Sequence, residues 1–471
     1  MNIKEINSED LKNHRAALLP SEIKNIMMKI QESLKTKPYV VGGYVRSTLL
    51  RYPSKDIDLV SAATPSELLT VFPEAHRVSA RNKVPMVIAD GVEISTMRRE
   101  AGTRKNMHSI LASSIEEDCR RRDFTINAMY MDIHGTLYDP TQMGLHDAAK
   151  RILRFVGDAD MRLYEDPTRA MRALKFSAKY NLTLEDDAWK ALSKLASSGT
   201  RPSNDMLTKG LLELLKLEGM QTARALNFMT GTLLEEWFPE LACMVGVAQN
   251  RWHAEGDVWR HTQLVCSVLD SSDSDCVHWA ALLHDVGKPS TQKRRDGEDG
   301  YSFYDHEKSS VEIAKAFMDR LQFPTLLKEA VLFLVGEHMR IGYFFDMKLS
   351  KRIQLMKSSL FPELVRLNYA DNLGRWDLRT GKPDEKAAAE FSTKLAKAYT
   401  EFLDIQNKVK RSMPNGKDLI LAGYSPGKEL GGKLALIESD LFQRFYRNQK
   451  LELTKEKIIA KIKQARKQQD G

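Results

Sequence analysis

Segments with strand periodicity all fall before residue 100 of this 471-residue chain, and from about residue 150 onward the apolar residues recur at helical spacing. Strands gathered first and helices after them make an α+β chain. PYVVGG (38–43) reads as a strand entering a tight glycine turn, YVRSTLL as a helix and DIDLV as a second strand. Val84–Ala89 and Val92–Met97 read as further strands. Residues 1–37 alternate charged and apolar groups at helical spacing up to Pro38. An amphipathic helix packed on the chain beyond Pro38 is expected there, with no function assigned. Helical segments such as Arg169–Tyr180 and Leu211–Leu217 fill 150–250, and others continue through 258–370. The last stretch holds one turn-rich island, PNGKDLILAGYSPGKELGG. A basic helix comes after it, residues 447–467, with eight Lys/Arg against two Glu. No internal repeat or low-complexity tract interrupts the pattern.

The length suggests roughly three domains at about 150 residues each. With 42% hydrophobic and 28% charged residues, the composition is that of a soluble globular protein, not a disordered, collagenous or disulfide-stapled one. No uncharged apolar run approaches about 18 residues, and the start MNIKEINSEDLKNHR lacks an apolar signal core, so neither a membrane span nor export is expected. Cys119, Cys243, Cys266 and Cys276 show no CxxC spacing, which fits a reduced, cytoplasmic compartment. The net charge of +8 is compatible with a polyanionic partner without demanding one.

The glycine turn and the acids after it are the first chemical constellation. Residues two apart in a strand face the same side, so Asp56 and Asp58 can converge on one hard cation. Gly42 and Gly43 let backbone N–H groups approach a phosphate, at a helix start that favours negative charge. Arg46, one turn into that helix, can grip the same phosphate. Paired carboxylates beside a phosphate cradle are what metal-assisted phosphoryl or nucleotidyl transfer needs. A solvent-facing Asp-x-Asp turn after a structural glycine pair is the bland alternative. Glu93, in GVEISTMR, is either a third acid brought alongside by a neighbouring strand or an ordinary polar strand residue.

The order VVGGYVRSTLL, KDIDLV, RRDFTINAMY, DPTQMGLHDA and YEDPTRAMRALKF, spread over about 140 residues, resembles the successive motifs of class II tRNA nucleotidyltransferases. These are the CCA-adding enzymes and the related bacterial poly(A) polymerases. The resemblance implies a polymerase-beta-like nucleotidyltransferase head with a small mixed sheet, followed by an all-α neck, body and tail. Within it, Arg121 and Arg122 before Asp123 suit a triphosphate and its leaving pyrophosphate, unless they are a plain surface pair. DPTQMGLHDA is a hinge by resemblance and only a loop by sequence. Asp166, Arg169 and Arg172, three apart, are expected on one face of a helix whose first turn holds Pro167. There a carboxylate and a guanidinium side by side can imitate a base-pairing edge for incoming CTP and ATP, as the family does. A helix start with an i,i+3 ion pair is the alternative reading. Three departures stand out: Lys175 replaces a usual third arginine, Ser47 follows Arg46 where the family has Asp, and PSNDMLTKGLLELL lacks the family's Ser-x-Glu-Arg.

A second constellation runs from His253 to Arg375: HAEGDVWRH, AALLHDVGK, YDHEKSS, GEHMR and ADNLGR. His284 and Asp285 are adjacent ligands at the end of an apolar helix, and His261 and Asp371 complete a site if helices converge. Imidazoles with carboxylates suit a divalent transition metal. Together the pieces resemble the HD phosphohydrolase domain attached to CCA-adding enzymes. His306 and His338 then sit where two-metal HD proteins place extra ligands, and Lys288 is either a phosphate partner or a helix-end cation. A helical body whose polar cluster merely packs is the alternative. The island NGKDLILAGYSPGKELGGKL resembles the tail of CCA-adding enzymes.

The resulting expectation is an N-terminal extension at 1–37, a catalytic head at 38–150 and a neck for nucleotide recognition and RNA binding at 151–250. An HD domain at 251–375 and a basic tail at 376–471 complete it. The activity expected is Mg²⁺-dependent addition or repair of the tRNA 3′-terminal CCA from CTP and ATP. A metal-dependent phosphohydrolase using Ni²⁺, Mn²⁺, Co²⁺ or Fe²⁺ accompanies it. No membrane or obligatory protein partner is expected. A poly(A) polymerase or partial CCA-adding enzyme is the nearest alternative, and an HD phosphohydrolase with an RNA-binding head is the alternative of another class.

Overall fold

The computed structural model describes residues 4–6, 19–54, 56–79, 85–101, 108–249, 253–294, 300–448 and 451–467, in two compact units. Unit 1 runs essentially from the start to Cys243 and unit 2 from Met244 to the end, with short exchanges at 269–271 and 320–322. Val84, at the start of one expected strand, lies outside the described residues.

The strands are β1 (Lys4–Ile6), β2 (Tyr39–Val41), β3 (Asp58–Ser61), β4 (His76–Ser79), β5 (Pro85–Ala89), β6 (Val92–Thr96), β7 (Arg98–Ala101), β8 (His108–Leu111), β9 (Tyr130–Met131) and β10 (Leu137–Asp139). Eight of them form one sheet in the order β1-β10-β9-β2-β3-β6-β5-β4, and β7 and β8 form a separate hairpin. Among the described residues of this sheet only β3 and β6 are parallel neighbours, so the sheet is mixed, and the fold class is the expected α+β one. Period-two alternation buries both faces: Val40, Leu59 and Ile94 join one apolar cluster, Val41 and Val60 the other. In the stretch 1–37, Ser21–Leu34 is a helix whose Ile23, Ile26, Met27 and Ile30 enter the first cluster. Lys4–Ile6, in contrast, is an edge strand paired with β10. Cross-strand pairing with Leu137–Asp139, remote in sequence, decides that segment, and no local pattern signals it.

Unit 1 continues into helices Ala159–Glu165, Thr168–Lys179, Asp186–Ser197, Asn204–Leu215 and Met220–Met229. A two-residue parallel pair, Ile152–Leu153 with Thr183–Leu184, departs from an all-α neck. The departure of sequence at PSNDMLTKGLLELL still yields a helix, capped by Ser203, on which Glu213 pairs with Lys175 at 3.0 Å.

In unit 2, helices Val258–Ser267, Asp275–Leu283, His306–Arg320, Thr325–Gly342 and Phe361–Gly374 surround the histidine cluster, with a short hairpin at Lys293–Arg294 and Tyr301–Ser302. Two glycines set their approach. A side chain at Gly374 would meet Val265 Cγ2 at 2.4 Å, and one at Gly287 would meet Ser310 N at 2.4 Å and His306 O at 2.5 Å. The tail helices Glu385–Ser412, Lys428–Arg447 and Lys455–Lys467 come next, the first two joined to Phe361–Gly374 by the successive rings of Phe361, Tyr399, Phe402 and Phe442. Among the described residues no helix is long and apolar enough to cross a membrane, and the four cysteines are free thiols.

Candidate functional site

The register of β2 against β3 builds the first site. Asp58 lies directly opposite Val41, the last strand residue before Gly42. Gly42, at φ +70°, caps the helix Gly43–Leu50, a turn that a side chain would strain. β3 runs parallel to β6 with Leu59 beside Ile94, so Asp58 and Glu93 are neighbours one step earlier. Burial raises the Asp58 carboxyl pKa, and the charges of Glu93 and Asp56 raise it further against the opposing pull of Arg122. Asp56, Asp58 and Glu93 are thus electrostatically coupled, although among the described residues their oxygens do not draw within 4.8 Å of one another as a set of three. Carboxylates that repel across an open turn fit a hard divalent cation, which such a set binds through oxygen.

Arg46 is buried between the rings of Phe176 and Tyr180, each 4.6 Å from its guanidinium carbon. It donates to Asn127 Oδ1 and to the Tyr180 hydroxyl, both at 2.7 Å. Its Nε–H is buried without a hydrogen-bond partner among the described residues. Ser47, where a carboxylate was expected, is buried and bonded to Tyr180. Burial would raise the phenol's pKa, but Arg46 and Ser47 bring it down.

Arg121 and Arg122 both clasp the fully buried Asp118. Arg122 Nη1 is the group a side chain at Gly42 would face, at 3.9 Å. Asp123 is buried, and its oxygens are taken by the Phe124 N–H, Asn127 Nδ2 and Arg172 Nε at 2.8, 2.9 and 2.9 Å. Arg172 thereby holds the Asp123 carboxyl below its usual range despite burial. A chain of hydrogen bonds therefore runs Tyr180–Arg46–Asn127–Asp123–Arg172.

Asp166 does not share a helix face with Arg169 and Arg172. It precedes the helix Thr168–Lys179, with Pro167 as the cap, and its Oδ1 accepts from the Thr168 N–H and hydroxyl. The Asx-type bond competes successfully with one more helical turn. Arg169 is buried and anchored to Glu165 and to the carbonyls of Arg162 and Arg121 at 3.0, 2.8 and 3.0 Å. Arg162 also binds Glu165. Asp166 and Arg169 still emerge from one helix start.

The second site gathers every expected ligand. His261 Nε2 is 3.1 Å from Asp371 Oδ1 and 3.6 Å from Asp285 Oδ2, which is 3.2 Å from His284 Nε2. Asp285 Oδ1 faces His306 Nε2 at 3.2 Å and His338 Nε2 at 3.8 Å. The Nδ1 atoms of His284, His306 and His338 bond the carbonyls three residues back, those of Ala281, Phe303 and Val335. His261 Nδ1 bonds Glu255 at 3.0 Å. With all four Nδ1 atoms committed, each ring turns its Nε2 inward, that of His261 onto Asp371 Oδ1. The Nε2 atoms of His306 and His338 face each other at 3.3 Å, and buried His284 Nε2, with Asp285 Oδ2 3.2 Å away, makes no well-aligned hydrogen bond among the described residues. Such an arrangement fits metal cations between the rings. Burial depresses His261, but Asp371 and Glu255 lift it to about 9, whereas burial and His284 push His338 down to about 4. Lys288 Nζ lies 2.6 Å from Asp285 Oδ2 and 2.9 Å from Gln249 Oε1. Burial would raise the Asp285 carboxyl, but His284 and Lys288 keep it well below the usual range. Glu255 stands inside HAEGDVWRH, six residues before His261, so its partnership had a visible cue. Asp118 and Tyr180 had none beyond their proximity to the motifs.

The Poly A polymerase head domain family matches residues 38–154, and the HD domain family matches 255–376. A multifunctional CCA protein of Shewanella denitrificans is 30% identical over 385 residues, 77% of this chain and 90% of that protein. A CCA-adding enzyme of Geobacillus thermodenitrificans is 33% identical over 254 residues, 53% of this chain and 59% of that enzyme. Among solved structures, the CCA-adding enzyme of Bacillus stearothermophilus in complex with CTP superposes with a TM-score of 0.69 at 24% identity, covering 95% of this chain and 98% of that one. The same fold recurs in the Thermotoga maritima enzyme complexed with tRNA (TM-score 0.56, 18% identity, covering 98% of this chain and 99% of that one). A head matched at the glycine turn and acid pair, a body matched at the histidine cluster and a relative aligned over three quarters of the sequence have one reading: the chain belongs to the family of CCA-adding enzymes and multifunctional CCA proteins.

Proposed function

We propose that unit 1 adds or repairs the 3′-terminal CCA of tRNA from CTP and ATP, and that unit 2 carries a metal-dependent phosphohydrolase. The observation that carries the first part is the register placing Asp58 beside the Gly42 turn, with Asp56 and Glu93 next to it. Mg²⁺ at Asp56 and Asp58 would neutralise triphosphate charge and lower the pKa of the RNA 3′-hydroxyl. Gly42 and Gly43 leave room for a phosphate, and Arg46 and Arg122 offer it guanidinium charge. Asp123 holds Arg172, while Asp166 and Arg169 select the base by donor–acceptor matching.

In unit 2 the inward-facing imidazoles favour Ni²⁺, Mn²⁺, Co²⁺ or Fe²⁺ over Mg²⁺. His261, His284, Asp285 and Asp371 would hold one ion, and Asp285, His306 and His338 a second. Such ions supply Lewis acidity toward a phosphate ester or 2′,3′-cyclic phosphate. Lys288 stands ready to pair with the ester's charge. Removing a phosphate from a damaged tRNA end exposes the hydroxyl that the transferase needs, which gives the two activities a common substrate in the cytoplasm.

Transcripts of tRNA ending at the discriminator base, C or CC, each incubated with one labelled nucleotide, test the reading. Ordered CMP, CMP and AMP incorporation is expected, lost in Asp56→Ala and Asp58→Ala with tRNA binding retained. Untemplated runs of AMP would instead mark a poly(A) polymerase, and an acid-pair variant adding nucleotides at the parent rate would end the proposal. For unit 2, a His284→Ala, Asp285→Ala variant should lose hydrolysis of a 2′,3′-cyclic nucleotide and keep the transferase.

A further inference from the structure

We propose that Asp118 is the positioning residue of the triphosphate site, aiming Arg122 at the glycine turn and tying Arg121 to the base-selecting Arg169. The proposal rests on the role of Arg122 at the triphosphate.

Asp118 is fully buried at the end of the short helix Ile115–Cys119. Its Oδ1 accepts from Arg121 Nε at 2.9 Å and from the Arg98 backbone N–H at 3.1 Å. Its Oδ2 accepts from Arg122 Nε at 3.1 Å, Arg122 Nη2 at 2.9 Å and the Tyr130 hydroxyl at 2.8 Å. Five donors exceed the roughly four lone-pair directions a carboxylate offers, so nothing remains for a metal or a substrate. Asp118 therefore acts through its neighbours.

Its effect on Arg122 is directional. Nε and Nη2 are consumed, Tyr130 lies 5.2 Å beneath the guanidinium, and Nη1 is left on the side of Gly42. A guanidinium pinned along one edge presents the other in a fixed plane, which suits phosphate oxygens. Arg121 is held by the same carboxylate, and its carbonyl accepts from Arg169 Nη2 at 3.0 Å. The Arg98 N–H ties in the chain immediately after β6, the strand of Glu93. One acid thus connects the phosphate-facing arginine, the base-facing arginine and the strand of the third carboxylate. It also lets two cationic side chains share a buried corner, which without a counter-charge they would not do.

Steady-state kinetics on full-length protein with tRNA ending in C or CC tests this, in both directions of the reaction. Asp118→Asn keeps the shape and removes the charge. KM for CTP, for ATP and for pyrophosphate in the reverse reaction should rise together, on the order of tenfold, with kcat changing less. Tyr130→Phe, which removes one of the five donors and leaves the fold's ring packing in place, should move the three KM values in the same direction by a smaller factor. In an Arg122→Ala background, Asp118→Asn should add clearly less than it does alone, because one of its two arginine partners is already gone and only the arm through Arg121 remains. Unchanged KM values in Asp118→Asn and Tyr130→Phe, with Arg122→Ala raising them, would overturn the positioning role alone. A full additional factor in the double variant would overturn it as well. Unchanged KM values in Arg122→Ala would overturn the triphosphate role of Arg122 on which the proposal stands.

Discussion

Replacing Gly287 by Ala isolates how closely helix packing governs the histidine cluster. Gly287 sits at φ −85°, ψ −12°, which alanine adopts freely, so the perturbation is purely steric. The new Cβ would lie 2.4 Å from Ser310 N, 2.5 Å from His306 O and 2.8 Å from Ser309 C, all backbone atoms that no rotamer change can move. Restoring an ordinary separation of about 3.4 Å requires the first turn of His306–Arg320 to retreat by about 1 Å, and His306 is the first residue of that turn. Overpacking of this kind costs about 1–3 kcal/mol. In a unit of this size each kcal/mol lowers the melting temperature by about 2–4 °C. A ~1 Å retreat also exceeds the ±0.2 Å tolerance of metal–ligand distances. It falls on His306, now 3.2 Å from Asp285 Oδ1, and not on His261 or Asp371. Thermal melting in chelator, with calorimetric titration of Mn²⁺ and Ni²⁺, should show a lower midpoint and selective weakening of the ion proposed at Asp285, His306 and His338. CMP and AMP incorporation should be unaffected. A variant that melts and binds both metals like the parent would refute the steric argument.

Asp118 also predicts an acid-stability signature. Burial opposes its ionisation, yet the charges of Arg122 and Arg121 hold its pKa at about 2. A depressed folded-state pKa contributes stability that is present above the unfolded value near 4 and lost as pH falls from about 4 to 2. Unfolding free energies measured across that window should decline less steeply in Asp118→Asn, and parallel declines would contradict the ionised, paired state. Arg169→Ala should weaken CTP and ATP together or admit UTP and GTP, at about 1–3 kcal/mol for the missing hydrogen bonds. An unchanged nucleotide preference and affinity would remove it from base selection. Converting the exposed Lys457, Lys461 and Lys463 to Gln should weaken tRNA binding and flatten its salt dependence without altering nucleotide preference. The slope should fall by about 0.7–0.9 for each RNA phosphate that is no longer neutralised. Salt-independent binding by the parent would point to a different mode of recognition.

Features set by local spacing were legible in the sequence itself. Gly42 precedes a helix and His284–Asp285 ends an apolar one, as type and period suggested, whereas the strand read over DIDLV begins only at Asp58 and leaves Asp56 ahead of it. Residues that act through tertiary pairing were not. Asp118 looks like one more acid in SSIEEDCRRR, and only the approach of Tyr130 from β9 and Arg98 from β7 makes it a hub. Asp123, expected at the nucleotide, is spent on Arg172, 49 residues away. Asp166 lies at helical spacing from Arg169, but its own side chain caps the backbone and ends the periodicity there. Ser47 shows the limit of motif comparison, because the group that meets its neighbour Arg46 comes from Tyr180, 134 residues downstream of that arginine.

The ammonium of Lys288 against Asp285 gives unit 2 a resident counter-ion. Metal centres built only from acids and imidazoles leave charge stranded when emptied, and the fold is destabilised in proportion. Here the Lys288 ammonium, 2.6 Å from Oδ2, already neutralises Asp285, and Gln249 steadies it. An ion bound at that oxygen would accordingly exchange one cation for another, leaving the lysine free to meet an arriving anion. If the proposed centre binds such an ion, emptying it would leave Asp285 paired with a lysine rather than stranded, and its loss would silence the proposed hydrolysis without exposing an uncompensated carboxylate among the helices.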